Sequence, residues 1–327
     1  LSIAILGLAG CGGTNTADDA GASDAGASDA AMSDAGASDG GGTIDAATDD
    51  AGASDAGGGT DAGPSACGTA QPTLPTAGTE GLVIARDGTI YYSVDGGVAR
   101  IRPDGTNEPS WLPIPGASTI WGLALDASNT HLFVGDPGAG VLHAVSGIDS
   151  APRITALATI SQPNGVTVGP DGAVYVSDFA SGDVLRVDPA GGPVVTVTAT
   201  PISGADGVAF TDDGHLLVTS YAAGTVLSLA LDATHHETGR TTVARNVPSA
   251  DGVAIDTAGT IYVGGGSRVY RIGAGGTPDM TLQMGHPGTA NLEWGAGPLD
   301  CHDLYVATGS GLTRISLAVG QRAVPWH

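Results

Sequence analysis

QPNGVTVGPDGAVYVSDFASGDVLRVDP, from Gln162 to Pro189, decides the fold. Three short runs of β-branched residues, Val166 to Val168, Val174 to Val176 and Val184 to Val187, are separated by Pro170-Asp171-Gly172 and Ala180-Ser181-Gly182. Strands of about four residues broken by Asp-Gly and Ser-Gly turns read as an antiparallel meander. One such sheet cannot bury its apolar faces alone, so the chain has to supply more copies.

The spelling recurs. An acidic or amide residue, a glycine, an apolar run and, after a second glycine, an apolar-aromatic-Val run appear again from Glu80-Gly81, Asp206-Gly207 and Asp251-Gly252. Looser copies begin at Trp121-Gly122 and Asn291-Leu292. From Gly81 through Gly122, Gly165, Gly207 and Gly252 to Leu292 the steps are 41, 43, 42, 45 and 40 residues. Periods of about 40–50 residues with four strand signals each predict an all-β, six-bladed β-propeller.

Composition divides the chain into three parts. Residues 1–11 are apolar and end in Leu8-Ala9-Gly10-Cys11, which resembles a bacterial lipobox whose cysteine is diacylated, behind a leader whose start is missing. The expectation is anchoring through Cys11 in a bacterial cell envelope, periplasmic or surface-exposed, and a Cys11→Ser variant should leave the membrane fraction. Residues 12–66 are Ala, Gly, Ser, Thr and Asp with near repeats of Gly-Ala-Ser-Asp-Ala. Such a stretch buries too little to offset its ordering entropy and reads as a disordered linker, a tether spanning roughly 40 Å as a random coil. Residues 67–327 are the propeller.

Charge excludes one class of partner. Of the formal net charge of −23, eleven come from Asp residues in 12–66, leaving twelve for the rest, and the chain has Arg but no Lys. An acidic surface repels phosphate backbones, so no nucleic-acid partner is expected. The chain is expected to be a monomer. With Cys11 lipidated, Cys67 and Cys301 form an even pair in an exported protein and read as a disulfide that staples the first blade to the last. The other closure in reach is β-pairing, with 322–326 as the outer strand of the sixth blade.

The first strand of every propeller blade lines the central channel, so Glu80, Trp121, Asn164, Asp206, Asp251 and Asn291 are expected around one mouth. Two carboxylates ~6 Å apart repel by ~3 kcal/mol at an effective dielectric of 20, and no Arg stands at an equivalent position. The ring must raise its pKa values or hold a cation. Hard oxygen donors favour calcium, then magnesium or manganese, over zinc. The competing reading is that Asp-Gly and Asn-Gly merely mark a repeated tight turn. His235-His236 and His286 read as loop residues, Asp136 and Asp178 as supports of the ring or loop caps, and Trp121 as a channel plug or a substrate platform.

These residues resemble the six-bladed family of senescence marker protein (regucalcin) and gluconolactonase. The resemblance rests on Glu80-Gly81, Pro163-Asn164-Gly165 with Gly169-Pro170-Asp171-Gly172, Asp206-Gly207, Asp251-Gly252, and Trp294-Gly295 with Leu304-Tyr305-Val306. It implies a divalent cation at the mouth and an Asp that activates water against a lactone. By blade order the matching positions are Glu80, Asp206 and Asp251, with Asn164 facing substrate; by spelling, Asn164 and Asp206 match. Two departures stand out: Leu82-Val83-Ile84 where the family has Pro and a nearby Trp, and Gln162 where it has Arg. Two functions follow as expectations. One is a membrane-tethered, divalent-metal-dependent hydrolase of a lactone or small ester, with Asp251 or Asp206 as base and Glu80, Asp206, Asp251 and Asn164 as metal ligands. The other is a non-catalytic cell-surface binding or scaffold propeller that recognises a protein or glycan.

Overall fold

The structure, a computed structural model, describes residues 68–317. Cys11, the 12–66 linker, Cys67 and the 322–326 segment lie outside the described residues. All regular structure in that range is β: 23 strands in six sheets, each an antiparallel meander running in chain order. The blades occupy residues 82–113, 123–159, 163–196, 205–244, 250–283 and 289–316, and the sixth has three described strands where the others have four.

Packing between blades supplies the core that one sheet lacks. Val83 and Tyr91 of the first blade pack with Leu123, Leu125 and Val134 of the second. Ala124 and Phe133 of the second meet Val166, Val168 and Val176 of the third. The ring closes where Leu82, Ile90 and Tyr92 of the first blade meet Ala290, Tyr305 and Ala307 of the sixth. Each layer is a sandwich of aliphatic and aromatic side chains, rich in the β-branched and aromatic residues that pack best on a pleated surface.

The segment ahead of the first blade ties the ends together. Gly68 and Ala70 donate their N–H groups to Leu299 O and Pro298 O at 3.1 and 2.8 Å, and Thr79 N–H reaches Thr308 O at 3.0 Å. Leu312 N–H in turn reaches Pro75 O at 3.1 Å. Cys301, beside this seam, is disulfide-bonded. The expected partner, Cys67, precedes Gly68 in the chain.

The seam also half-buries an acid that sequence reading passed over. Glu293, on the inner strand Thr289–Trp294, pairs across the blade with Tyr305, and its Oε1 accepts the Trp294 N–H at 3.1 Å. Burial pushes its carboxyl up to about 7. A folded-state value above the ~4.3 of an unfolded Glu means that its contribution is complete below pH ~4 and is lost as pH rises through 7. Glu293→Gln should therefore be more stable than wild type at pH 8 by about 2 kcal/mol and should show a shallower loss of stability between pH 5 and 8. Urea midpoints across that range check it; parallel curves for the two proteins would refute it.

Candidate metal centre

In the first five blades the residue pair singled out in the sequence stands at or just before the start of the inner strand, and in blades three to five the register explains the pairing. Ala205 faces Ser220 and Val208 faces Val218, so Asp206 and Gly207 together oppose Thr219 in a β-bulge. Asn164-Gly165 bulges likewise opposite Ser177, and Asp251-Gly252 opposite Gly264. A bulge re-aims the side chain it carries.

The glycines are there for space, not for a turn. None of Gly81, Gly122, Gly165, Gly207 and Gly252 is among the glycines at positive φ. A Cβ on Gly122 would lie 1.9 Å from Asn164 O, on Gly165 2.2 Å from Asp206 O, and on Gly207 2.4 Å from Asp251 O. Neighbouring inner strands approach so closely around the channel that only glycine fits. The tight-turn reading of these pairs is thereby replaced.

Hydroxyls on the second strands pin the arrangement, a feature sequence reading missed. Ser177 Oγ accepts Gly165 N–H at 2.8 Å and donates to Asp206 O of the next blade at 2.5 Å. Thr219 Oγ1 donates to Asp251 O at 2.6 Å, and Ser93 Oγ accepts the N–H groups of Glu80 and Gly81 at 3.0 and 2.8 Å. The available signal was the hydroxyl residue at the same place after the second-strand apolar run: Ser93, Ser177, Thr219.

The sixth blade departs from the expected ring. Thr289 faces Thr308 and Leu292 faces Val306, so Ala290 and Asn291 share the bulge. Ala290 thus takes the position expected for Asn291, while Asn291 takes the glycine position and donates its Nδ2 to Glu80 O at 3.1 Å across the seam. The ring is Glu80, Trp121, Asn164, Asp206, Asp251 and Ala290. Its acids lie on blades four, five and one.

These acids are buried without a guanidinium at any equivalent position. Asn164, Asp206 and Asp251 are 4, 2 and 9 % exposed, and Glu80 and Trp121 are half-buried. Burial pushes the Glu80 carboxyl up to about 7. Burial and the nearby Glu80 charge raise Asp206 well above the usual carboxylate range, and burial with the charges of Asp206 and Glu80 does the same for Asp251. Two oxygens here, Asn164 Oδ1 and Asp251 Oδ1, are buried without a hydrogen-bond partner. Orphaned buried acceptors and mutually repelling acids are what a hard cation would satisfy, so the residues fit a divalent metal.

The other sequence candidates fall outside this ring. Asp178 Oδ1 accepts the N–H groups of Gln162 and Ala180 at 3.0 and 3.1 Å, and Asp136 Oδ1 accepts Ala139 N–H at 2.9 Å; both cap loops. His235 contacts Tyr175 OH at 3.1 Å and Asp171 at 3.4 Å, His236 contacts Thr234, and His286 is exposed. Asp300, Cys301 and His302 are the one trio of His, Cys, Asp or Glu among the described residues whose ligand atoms all lie within 4.8 Å, but the disulfide removes the Cys301 thiolate as a ligand.

A six-bladed propeller with an acidic, glycine-girdled mouth is the class that fold and site define. Residues 161–310, most of blades three to six, match the SMP-30/Gluconolactonase/LRE-like region. The chain resembles the senescence marker protein (regucalcin) and gluconolactonase family on these residues. No curated protein matches the sequence. Among solved structures it is similar to a putative gluconolactonase, at 20% identity over 80% of this chain and 96% of that one, with a TM-score of 0.65. A gluconolactonase from Xanthomonas campestris is 20% identical over 74% of this chain and 87% of its own, with a TM-score of 0.63. A calcium-binding protein, regucalcin, from Agrobacterium tumefaciens is 17% identical over 79% and 96%, with a TM-score of 0.62.

Proposed function

We propose that this protein is a divalent-metal-dependent hydrolase of a lactone or related small ester, working at the propeller mouth with calcium as the metal. The observation that carries the reading is the set of partnerless oxygens, Asn164 Oδ1 and Asp251 Oδ1, buried among acids that repel one another. The similarity to proteins described as a gluconolactonase and a calcium-binding regucalcin supports it.

Glu80, Asp206, Asp251 and Asn164 would hold the ion. Bound there, it supplies Lewis acidity toward the substrate carbonyl and acidifies water. The protein's own part is positional and basic. Asp251 takes the proton of the attacking water as the C–O bond to the carbonyl carbon forms, and it returns that proton to the departing oxygen as the ring C–O bond breaks, leaving an acid and an alcohol. Asp206 is the second candidate base, since its carboxyl lies close enough to Asp251 to share a proton. Thr219 and Ser177 bond the backbone carbonyls of both acids, which fixes the main chain from which the two carboxyls project.

The test is hydrolysis of a panel of aldono- and acyl-lactones by calcium-loaded protein, repeated after chelation. Turnover that disappears with the metal and returns with it is expected. Full metal occupancy without hydrolysis of any lactone or ester would remove the enzyme and leave a propeller that binds a protein or glycan.

A further inference from the structure

Aromatic residues are scarce here, 4% of the chain, and most are committed to the core. Tyr91, Tyr92, Tyr175, Tyr262, Tyr305, Phe133, Phe210, Tyr270 and Trp294 are buried, and Trp111 lies under the Arg100 guanidinium at 4.7 Å. The remaining three among the described residues stand together. Trp121 and Phe179 have ring centroids 6.1 Å apart at 71°, and Phe179 and Tyr221 lie 5.9 Å apart at 68°.

Their place in the fold is the mouth. Trp121 is the second blade's member of the ring itself. Phe179 and Tyr221 follow the ends of the second strands Val174–Asp178 and Leu216–Ser220, which return to the mouth beside Asn164 and Asp206. Both are fastened there, by Phe179 N–H to Gln162 O at 3.0 Å and Tyr221 N–H to Gly204 O at 2.9 Å. At the equivalent place blades five and six carry Gly266 and Gly309. The mouth is therefore two-sided: aromatic over blades two to four, open over blades five and six. Tyr221, at 42 % exposed, is one of only two large exposed hydrophobic residues described.

We infer that Trp121, Phe179 and Tyr221 form an apolar rail that binds the substituent of the substrate, making the substrate class an alkyl- or aryl-substituted lactone and not a polyhydroxylated sugar lactone. The inference rests on the proposed lactone hydrolysis and narrows it. Two centroid steps of 6.1 and 5.9 Å make the rail longer than a single sugar ring. Its edge-to-face contacts break up any one flat face on which a pyranose could stack. Hydroxyls laid along it would lose water to three aromatic rings whose own polar groups are the Tyr221 hydroxyl and the Trp121 indole N–H, whereas a hydrocarbon chain loses nothing by the transfer. With the reacting carbonyl over Asp206 and Asp251, a substituent has one apolar direction to take, across Phe179.

The experiment has two arms. In the first, kcat/KM of the calcium-loaded protein is measured for δ-lactones bearing methyl to heptyl chains and for glucono-δ-lactone. Wild type should gain about 10-fold or more from methyl to heptyl, chiefly in KM, and the Phe179→Ala/Tyr221→Ala variant should lose that gain while its calcium affinity stays the same. In the second, non-hydrolysable δ-lactams with the same chains are titrated calorimetrically, and the heptyl compound should bind about 10-fold tighter than the methyl one in wild type only. Hydrolysis with no chain-length dependence, or with glucono-δ-lactone preferred, overturns the rail and leaves the hydrolase. Chain-dependent lactam binding without hydrolysis of any lactone retains the rail and overturns the hydrolase. No chain dependence in either arm overturns the rail.

Discussion

Asp251→Asn is expected to lower lactone turnover by about 10³-fold while calcium binding falls far less. Asp251 carries two tasks at once, and the substitution separates them. An amide oxygen still donates a lone pair to a hard cation, but it cannot accept a proton. The site tolerates the change sterically, because Asn and Asp are nearly isosteric and Asp251 Oδ1 has no hydrogen-bond partner to lose. The substitution also removes the carboxyl that burial and the charges of Asp206 and Glu80 hold well above the usual range. The folded protein should therefore be no less stable without metal. The check is kcat for a hydrolysed lactone alongside calcium titration of the same preparation. A parallel collapse of turnover and metal affinity would show Asp251 to be a ligand only and would move the base to Asp206.

The second large effect concerns the glycine girdle. Gly122→Ala is expected to destabilise the propeller by about 3 kcal/mol, because its Cβ would sit 1.9 Å from Asn164 O and 2.6 Å from Val166 Cγ2. The first of these atoms is backbone and belongs to the neighbouring blade. Relief thus requires blades two and three to separate at the channel, not merely a rotamer change. Gly239→Ala, on an outer strand with nothing within 4 Å of the added carbon, should be neutral. Urea denaturation of the two variants makes the comparison. Equal stability would mean that the inner strands have slack the structure does not show.

The blades were legible in the sequence because propeller geometry repeats and the chain repeats its spelling with it. Glu80, Asn164, Asp206 and Asp251 were legible for the same reason: each stands directly before a glycine that the inner strand needs. The glycine's reason was not legible. Asp-Gly has the composition of a turn, and only the contact of Gly165 with Asp206 O and of Gly207 with Asp251 O distinguishes crowding from turning. The sixth blade misled because Ala290-Asn291 replaces both residues of the pair, so aligning on the amide placed Asn291 one residue off. Glu293 lay hidden because a lone Glu in a strand looks like a solvated face until the seam closes over it. The aromatic rail could not be read at all. Trp121, Phe179 and Tyr221 share no repeat position as a trio and meet only when three blades are set around a channel.

The proposed function requires the acids at the mouth to hold a divalent cation. Calorimetric titration of calcium into the metal-free protein at pH 8, with Glu80→Gln in parallel, tests it most directly. Ligand oxygens must be deprotonated to bind, so affinity should rise with pH as Glu80, held near 7, loses its proton. One calcium per chain in wild type, and binding weakened by at least about 10-fold in Glu80→Gln, are expected. Wild-type protein that takes up no calcium, magnesium or manganese would contradict the proposed function.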